Sequence, residues 1–384
     1  MKNKYIAKRY WKNTDTAMAA SGKLAGLYPD LINLAIGDPD LTTDSRIIEA
    51  AMADAELGHT HYTGTLGDAE LLQAIGAYYR EMYRYEIPGD GCIVTASACH
   101  GMWLALEAIL DDGDEVIIPD PYFTPYPYQV ELARGVPVFL PTYESENFQI
   151  DIGRLEGLIT PRTKAIILNT PNNPTGSCLS LETLQKVGKI AEQYDLLLIA
   201  DDIYTIFSFE NPFIPVTTLP GLAERTITVC SFSKDYCMTG WRIGYNLAPP
   251  EIVAVMRDIN ENVVYTAPAP SQRAALHALK LRHQVQPAII DEFKTRLDYA
   301  YQRICQIDYL SVLPVRGSIY LFVNIQKTGL TSAAFCRRLL EHYHINAISG
   351  EAFGACGEGY VRLALTVGVP ALKEAFDRLD PHQF

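Results

Sequence analysis

TITVCSFSKDYCMTGWRIGYNLA, running from Thr226 to Ala248, reads as two buried strands joined by a short polar turn. TITVCSFS and IGYNLA belong to a set of short runs most of which are apolar on both faces, as strands are when helices cover each side of a sheet. Upstream, CIVTA at Cys92, DEVIIP at Asp114, VPVFLP at Val136, KAIILNT at Lys164 and DLLLIAD at Asp195 repeat the pattern, with longer helix-period stretches between them. Short apolar strands alternating with helices predict an α/β fold, a mostly parallel seven-stranded sheet sandwiched by helices.

Helices flank this region. GDAELLQAIGAYYREMYR, from Gly67, places Leu71, Leu72, Ile75, Tyr78, Tyr79 and Met82 on one side, with Asp68 and Glu70 near its positive end. PAIIDEFKTRLDYAYQRI behaves similarly, and its reading puts Pro287 in the first turn, where a missing N–H costs nothing. Around Ser318 and Tyr360 the pattern changes to SIYLFVNI and YVRLALT, short strands of an α+β part. The expected division is a large domain over residues 46–280 and a smaller α+β domain formed by residues 1–45 and 281–384.

Bulk properties exclude several classes. A chain of 384 residues with 48% hydrophobic and 20% charged residues can bury a large core, so disorder is set aside. A net charge of −13 with no basic stripe argues against a nucleic-acid partner. No apolar run reaches membrane-spanning length, and no apolar stretch with a cleavage site follows the basic N-terminus MKNKYIAKRYWKN. Eight cysteines show no Cys-x-x-Cys pair or His-rich cluster, so no metal site is expected. They read as small buried hydrophobes in a reducing cytosol.

Chemistry concentrates in the turn already quoted. Lys234 leaves an apolar strand with Ser231 and Ser233 just before it and Arg242 eight residues on, at a sheet edge where open α/β folds place ligands. Partial burial would favour a neutral amine able to form a Schiff base. Ser231 and Arg242 could hold a phosphate, the Arg through its planar fork. In DLLLIADDIY, Asp201 and Tyr204 end a strand three residues apart and could meet one ligand, the carboxylate holding a pyridine nitrogen protonated. Alone, Asp201 reads more readily as a helix cap. NTPNNPTG, from Asn169, is a tight turn by itself. The small residues Ala98 and Cys99 open a helix after CIVTA, where exposed amides bind phosphate. Phe123, in DPYFTPY, could stack on a flat cofactor or simply pack in the core.

Taken together and in this order, these residues resemble the class I/II aminotransferases of pyridoxal 5′-phosphate (PLP) fold type I, from Ile32 onward. The signature is SFSKDYCMTGWRIGY from Ser231 to Tyr245, with PNNPTG upstream and D-x-x-Y between them. INLAIGDPD at Ile32, HYTGTLGDAELLQAI at His61 and YVRLALT at Tyr360 extend the match. The resemblance implies that Lys234 carries PLP as an imine and then acts as general base. It further implies that Asp201 pairs with the ring nitrogen, Asn173 and Tyr204 with the 3′ oxygen, and Phe123 with the ring face. Ala98, Cys99, Ser231, Ser233 and Arg242 would hold the phosphate, and Tyr62 would reach the phosphate of a neighbouring subunit, making a homodimer. Arg362 would clamp the substrate α-carboxylate, aided by Gly37 and Asn173. Without the resemblance, Arg362 reads as a surface ion-pair residue. Three positions depart from the family pattern: Ala98–Cys99 where Gly or Ala and then Lys is common, Cys237 for a small residue, and Phe123 for Trp. These bear on substrate range rather than on the fold.

The expected function is a cytoplasmic PLP-dependent aminotransferase exchanging an amino group between an α-amino acid and a 2-oxo acid. The same residues would also serve a C–S β-lyase, a racemase or an amino-acid oxidase. A non-catalytic ligand-sensing regulator is a third reading, disfavoured because some thirty residues before Ile32 are too few for a DNA-reading domain.

Overall fold

The computed structural model describes residues 4–7, 10, 11, 28–382 and 384. Most of the N-terminal stretch interpreted above therefore lies outside the described residues. The strands are β1 (Ile32–Asn33), β2 (Cys92–Thr95), β3 (Glu115–Asp120), β4 (Val136–Pro141), β5 (Thr163–Asn169), β6 (Leu197–Asp202), β7 (Thr226–Ser231), β8 (Gly244–Leu247), β9 (Tyr320–Asn324), β10 (Ile345–Asn346), β11 (Ile348–Ser349) and β12 (Tyr360–Ala364).

Seven of them form one sheet in the order β2-β8-β7-β6-β5-β3-β4. Only β8 runs antiparallel to its neighbours. Each expected strand of the sheet is present. β4 departs in one respect: it is an edge strand, with Val136 and Phe139 exposed. Residue alternation sorts the core into two layers. Ile166, Leu168, Leu198 and Ala200 pack with Val187 and Ala191 of the helix Leu181–Gln193. Ala165, Ile167, Ile199 and Val229 pack on the opposite face with Met102 and Leu106 of the helix Ala98–Ile109.

The helix Ala69–Tyr83 is capped by Asp68, whose carboxylate accepts the Leu71 N–H. It buries Leu71, Ile75, Tyr78 and Tyr79, but Met82 is exposed. A larger correction concerns Pro287. It does not open a helix; it lies inside the 36-residue helix Ala269–Ile304. Amphipathic pattern on both sides of an exposed proline outweighs the lost hydrogen bond.

This helix joins two cores. Ala274, Ala275, Leu276 and Phe293 pack with Ile47, Ile75 and Leu247, whereas Leu297, Ala300 and Ile304 pack with strands β9 and β12. Residue 280, the expected division point, falls within it. A three-stranded antiparallel sheet, β11-β12-β9, lies on the second core, and β1 pairs parallel with β10. All eight cysteines are free, yet Cys99 and Cys305 are exposed rather than buried. No helix of the described residues is long and apolar enough to cross a membrane.

Candidate active site

The C-terminal ends of β5, β6 and β7 face a cavity of about 240 Å³. Open α/β sheets bind ligands at that edge, because successive loops and helix N-termini converge there. Twelve of the thirteen expected site residues line it: Gly37, Ala98, Cys99, Phe123, Asn173, Asp201, Tyr204, Ser231, Ser233, Lys234, Arg242 and Arg362. Tyr62 does not. It is 81% exposed and belongs to a separate surface depression with His59 and His61.

Strand alternation explains the aim of Asp201. Ile199 faces the helix Ala98–Ile109, so Asp201, two residues on, faces the same side, beside the helix N-terminus. The Asn169 amide donates to the Asp201 carbonyl at 3.0 Å and fixes the strand ends in register. Oδ2 of Asp201 accepts the Tyr126 hydroxyl, while Oδ1 is buried without a partner. Burial pushes this carboxyl up to about 7, against the lowering effect of the Tyr126 bond. Asp201 caps no helix.

Lys234 follows β7 and its ammonium donates to the Gly37 carbonyl. Ser231 Oγ accepts the Ser233 N–H at 3.0 Å, closing the turn that presents the lysine. Arg242, in a left-handed backbone conformation, donates to the Thr239 carbonyl at 2.8 Å and is solvent-accessible at the cavity mouth. Across from it, Ser97 caps the helix Ala98–Ile109 by accepting the His100 N–H. The helix N-terminus, with Ala98 and Cys99, thus opens on the cavity, positive end first. Gly244 permits this approach: a Cβ there would sit 2.5 Å from the Cys230 carbonyl and 3.0 Å from the Ala98 nitrogen.

Arg362 is 2% exposed. Val361 and Leu363 face the second core, so Arg362 faces the cavity from β12, where it pairs with Phe322. It donates to Asn173 Oδ1 at 3.0 Å and to the Ala35 carbonyl. Its guanidinium carbon lies 4.5 Å from the Tyr320 ring centre and 4.8 Å from that of Phe353. Burial pulls its proton affinity below the ordinary arginine value, opposed by the phenols of Tyr320 and Tyr204. Nε has no partner.

Two cavity residues escaped the sequence reading. Tyr126 opens the helix Tyr126–Leu132 three residues after Phe123 and lies edge-on to its ring. Tyr320 starts β9 on the same face as Phe322, the partner of Arg362, so alternation alone places it beside the arginine.

Comparison with known proteins adds independent findings. The family model for aminotransferase class I and II matches residues 29–379. An aspartate aminotransferase of Pyrococcus horikoshii is 36% identical over 357 residues, covering 91% of this chain and 90% of its own. The aromatic-amino-acid aminotransferase 2 of Thermococcus litoralis is 34% identical, with 91% of each chain covered. The structure of Thermus thermophilus aspartate aminotransferase with maleate superposes with a TM-score of 0.92 at 29% identity, covering 97% of this chain and 98% of that one. The relatives named here are aminotransferases, and nothing among them favours a lyase, a racemase, an oxidase or a regulator.

Proposed function

The chain belongs to the class I and II aminotransferase family and is a PLP-dependent enzyme that moves an amino group between an α-amino acid and a 2-oxo acid, and from that premise we propose which residues carry the reaction. The carrying observation is convergence: Lys234, Asp201 and Arg362, from three separate segments, line one cavity.

The residues present fit the cofactor. Asp201 offers a buried oxygen with no partner, and a protonated ring nitrogen against it would reverse the rise that burial imposes on the carboxyl. The helix N-terminus at Ala98 and Cys99, with Ser231, Ser233 and Arg242, makes a cradle for a phosphate. Phe123 supplies a ring to lie on a flat face, and Tyr204 with Asn173 supplies donors for the 3′ oxygen. Bound there, PLP supplies an aldehyde that condenses with amines and a ring that draws electrons from the substrate Cα.

This chain's residues do the rest. Lys234 Nζ would hold the aldehyde end of the cofactor and would serve as the base that takes the proton from the substrate Cα. Arg362 receives the α-carboxylate, with its unpaired Nε and its planar fork already held by Asn173 and Ala35. Gly37 keeps the opposite wall low, since a side chain there would collide with the Tyr320 hydroxyl.

A homodimer is part of the same reading. Tyr62 contacts Tyr265 edge-on at 4.8 Å, and Val263, Val264 and Tyr265 are exposed beside it, an apolar surface suited to a second copy that would receive Tyr62 at its phosphate. A cytoplasmic setting suits eight free cysteines. The test is a single turnover: enzyme loaded with PLP and given an amino acid alone should release one 2-oxo acid per site. Lys234→Ala should release none. Release by Lys234→Ala at the wild-type rate would refute the assignment, and sedimentation as a monomer would refute the dimer.

A further inference from the structure

Tyr320 touches both halves of the site. Its hydroxyl lies 2.9 Å from the Tyr204 hydroxyl, with the two rings edge-on at 82°. Its ring face lies 4.5 Å from the Arg362 guanidinium. The side chain is 3% exposed, and its hydroxyl occupies the space that any side chain at Gly37 would need. Gly37 in turn holds the Lys234 ammonium through its carbonyl. The Lys234 anchor, the Tyr204 phenol and the Arg362 clamp therefore all meet around one tyrosine.

We propose that Tyr320 is a positioning residue with two separable tasks: its hydroxyl orients the Tyr204 hydroxyl, and its ring holds the Arg362 guanidinium for the substrate carboxylate. This rests on the roles assigned above to Tyr204 and Arg362. Either hydroxyl of the pair can donate. When Tyr320 donates, Tyr204 keeps its own proton for the cofactor's 3′ oxygen, and the linked bonds strengthen one another. The second task follows from ring electrostatics. The guanidinium carbon lies over the Tyr320 ring and over the Phe353 ring, contacts that leave its Nε edge unpaired. A phenylalanine at 320 would preserve that stacking and lose only the hydroxyl, whereas a leucine would lose both.

The experiment compares wild type, Tyr320→Phe and Tyr320→Leu, each loaded with PLP. One readout is the pH midpoint of the bound cofactor's visible absorbance. The other charged and titratable groups lining the cavity are Asp38, Cys99, Tyr126, Asp201, Lys234, Arg242 and Arg362, and both variants retain them all. Loss of one oriented hydrogen bond to the 3′ oxygen should raise the midpoint by about half a pH unit in both variants. The other readout is KM for the amino acid. It should stay within about two-fold of wild type in Tyr320→Phe and rise about five-fold in Tyr320→Leu, with kcat changing less. A wild-type midpoint in Tyr320→Phe overturns the hydroxyl's task. Equal KM values in the two variants overturn the ring's. A wild-type protein with no visible cofactor band would instead overturn the assignment of Lys234, and this proposal with it.

Discussion

Arg362 shows what a buried cation needs. Its fork is held by Asn173 and Ala35 and it lies over two rings, so the geometry proposed to meet a carboxylate is in place without substrate. Lysine keeps the charge but has neither fork nor plane, and Arg362→Lys should raise KM for the amino acid about 10- to 100-fold, read from steady-state kinetics. Asp201→Asn should keep the Tyr126 contact region filled yet lose the charge opposite the ring nitrogen. We expect its single-turnover rate to fall by about 100-fold or more, with the cofactor still bound. Lys234, Asp201 and Arg362 were legible through the combined motifs and the family resemblance they carry, whereas Asp201 alone read as a helix cap and Arg362 alone as a surface ion-pair residue. Tyr126 carried no such mark, since an aromatic in an apolar stretch does not show whether it is cavity wall or core, and Tyr320 could be placed only through alternation along β9.

At the scale of elements, all seven strands of the large sheet were legible, because short apolar runs alternating with longer helix-period stretches leave strands as the economical reading. The helix Ala269–Ile304 was not. A proline is a strong stop signal, and only packing along both cores shows why the helix continues through Pro287. Pro287 is exposed, so Pro287→Ala restores a helical hydrogen bond without disturbing the core. It should raise stability by about 1–2 kcal/mol, less than the full proline cost because the unfolded chain also gains freedom. Thermal unfolding would check this. Gly244→Ala should act in the opposite sense. Its Cβ would press on the Cys230 carbonyl and the Ala98 nitrogen, costing about 1–3 kcal/mol and weakening cofactor retention at the helix N-terminus.

For the whole molecule, the same burial that builds the site imposes a pH dependence on stability. Asp235, beside Lys234 in sequence, is buried, with one oxygen accepting the Thr205 hydroxyl and the other unpaired. Burial pushes its carboxyl from an ordinary 3.8 to about 7. The native state therefore binds more protons than the unfolded state between those values, and this contribution to stability falls as pH rises through that window. Asp235→Asn cannot ionise, so its denaturation midpoint should gain on wild type steadily from about pH 4 to about pH 7. Such burial was invisible in the sequence, where Asp235 reads as one more polar turn residue. The account as a whole turns on where the cofactor is attached. Borohydride reduction of the PLP-loaded protein, followed by peptide mass mapping, should place one cofactor mass on the peptide carrying Lys234. An unmodified Lys234, or the mass on another lysine, would contradict it.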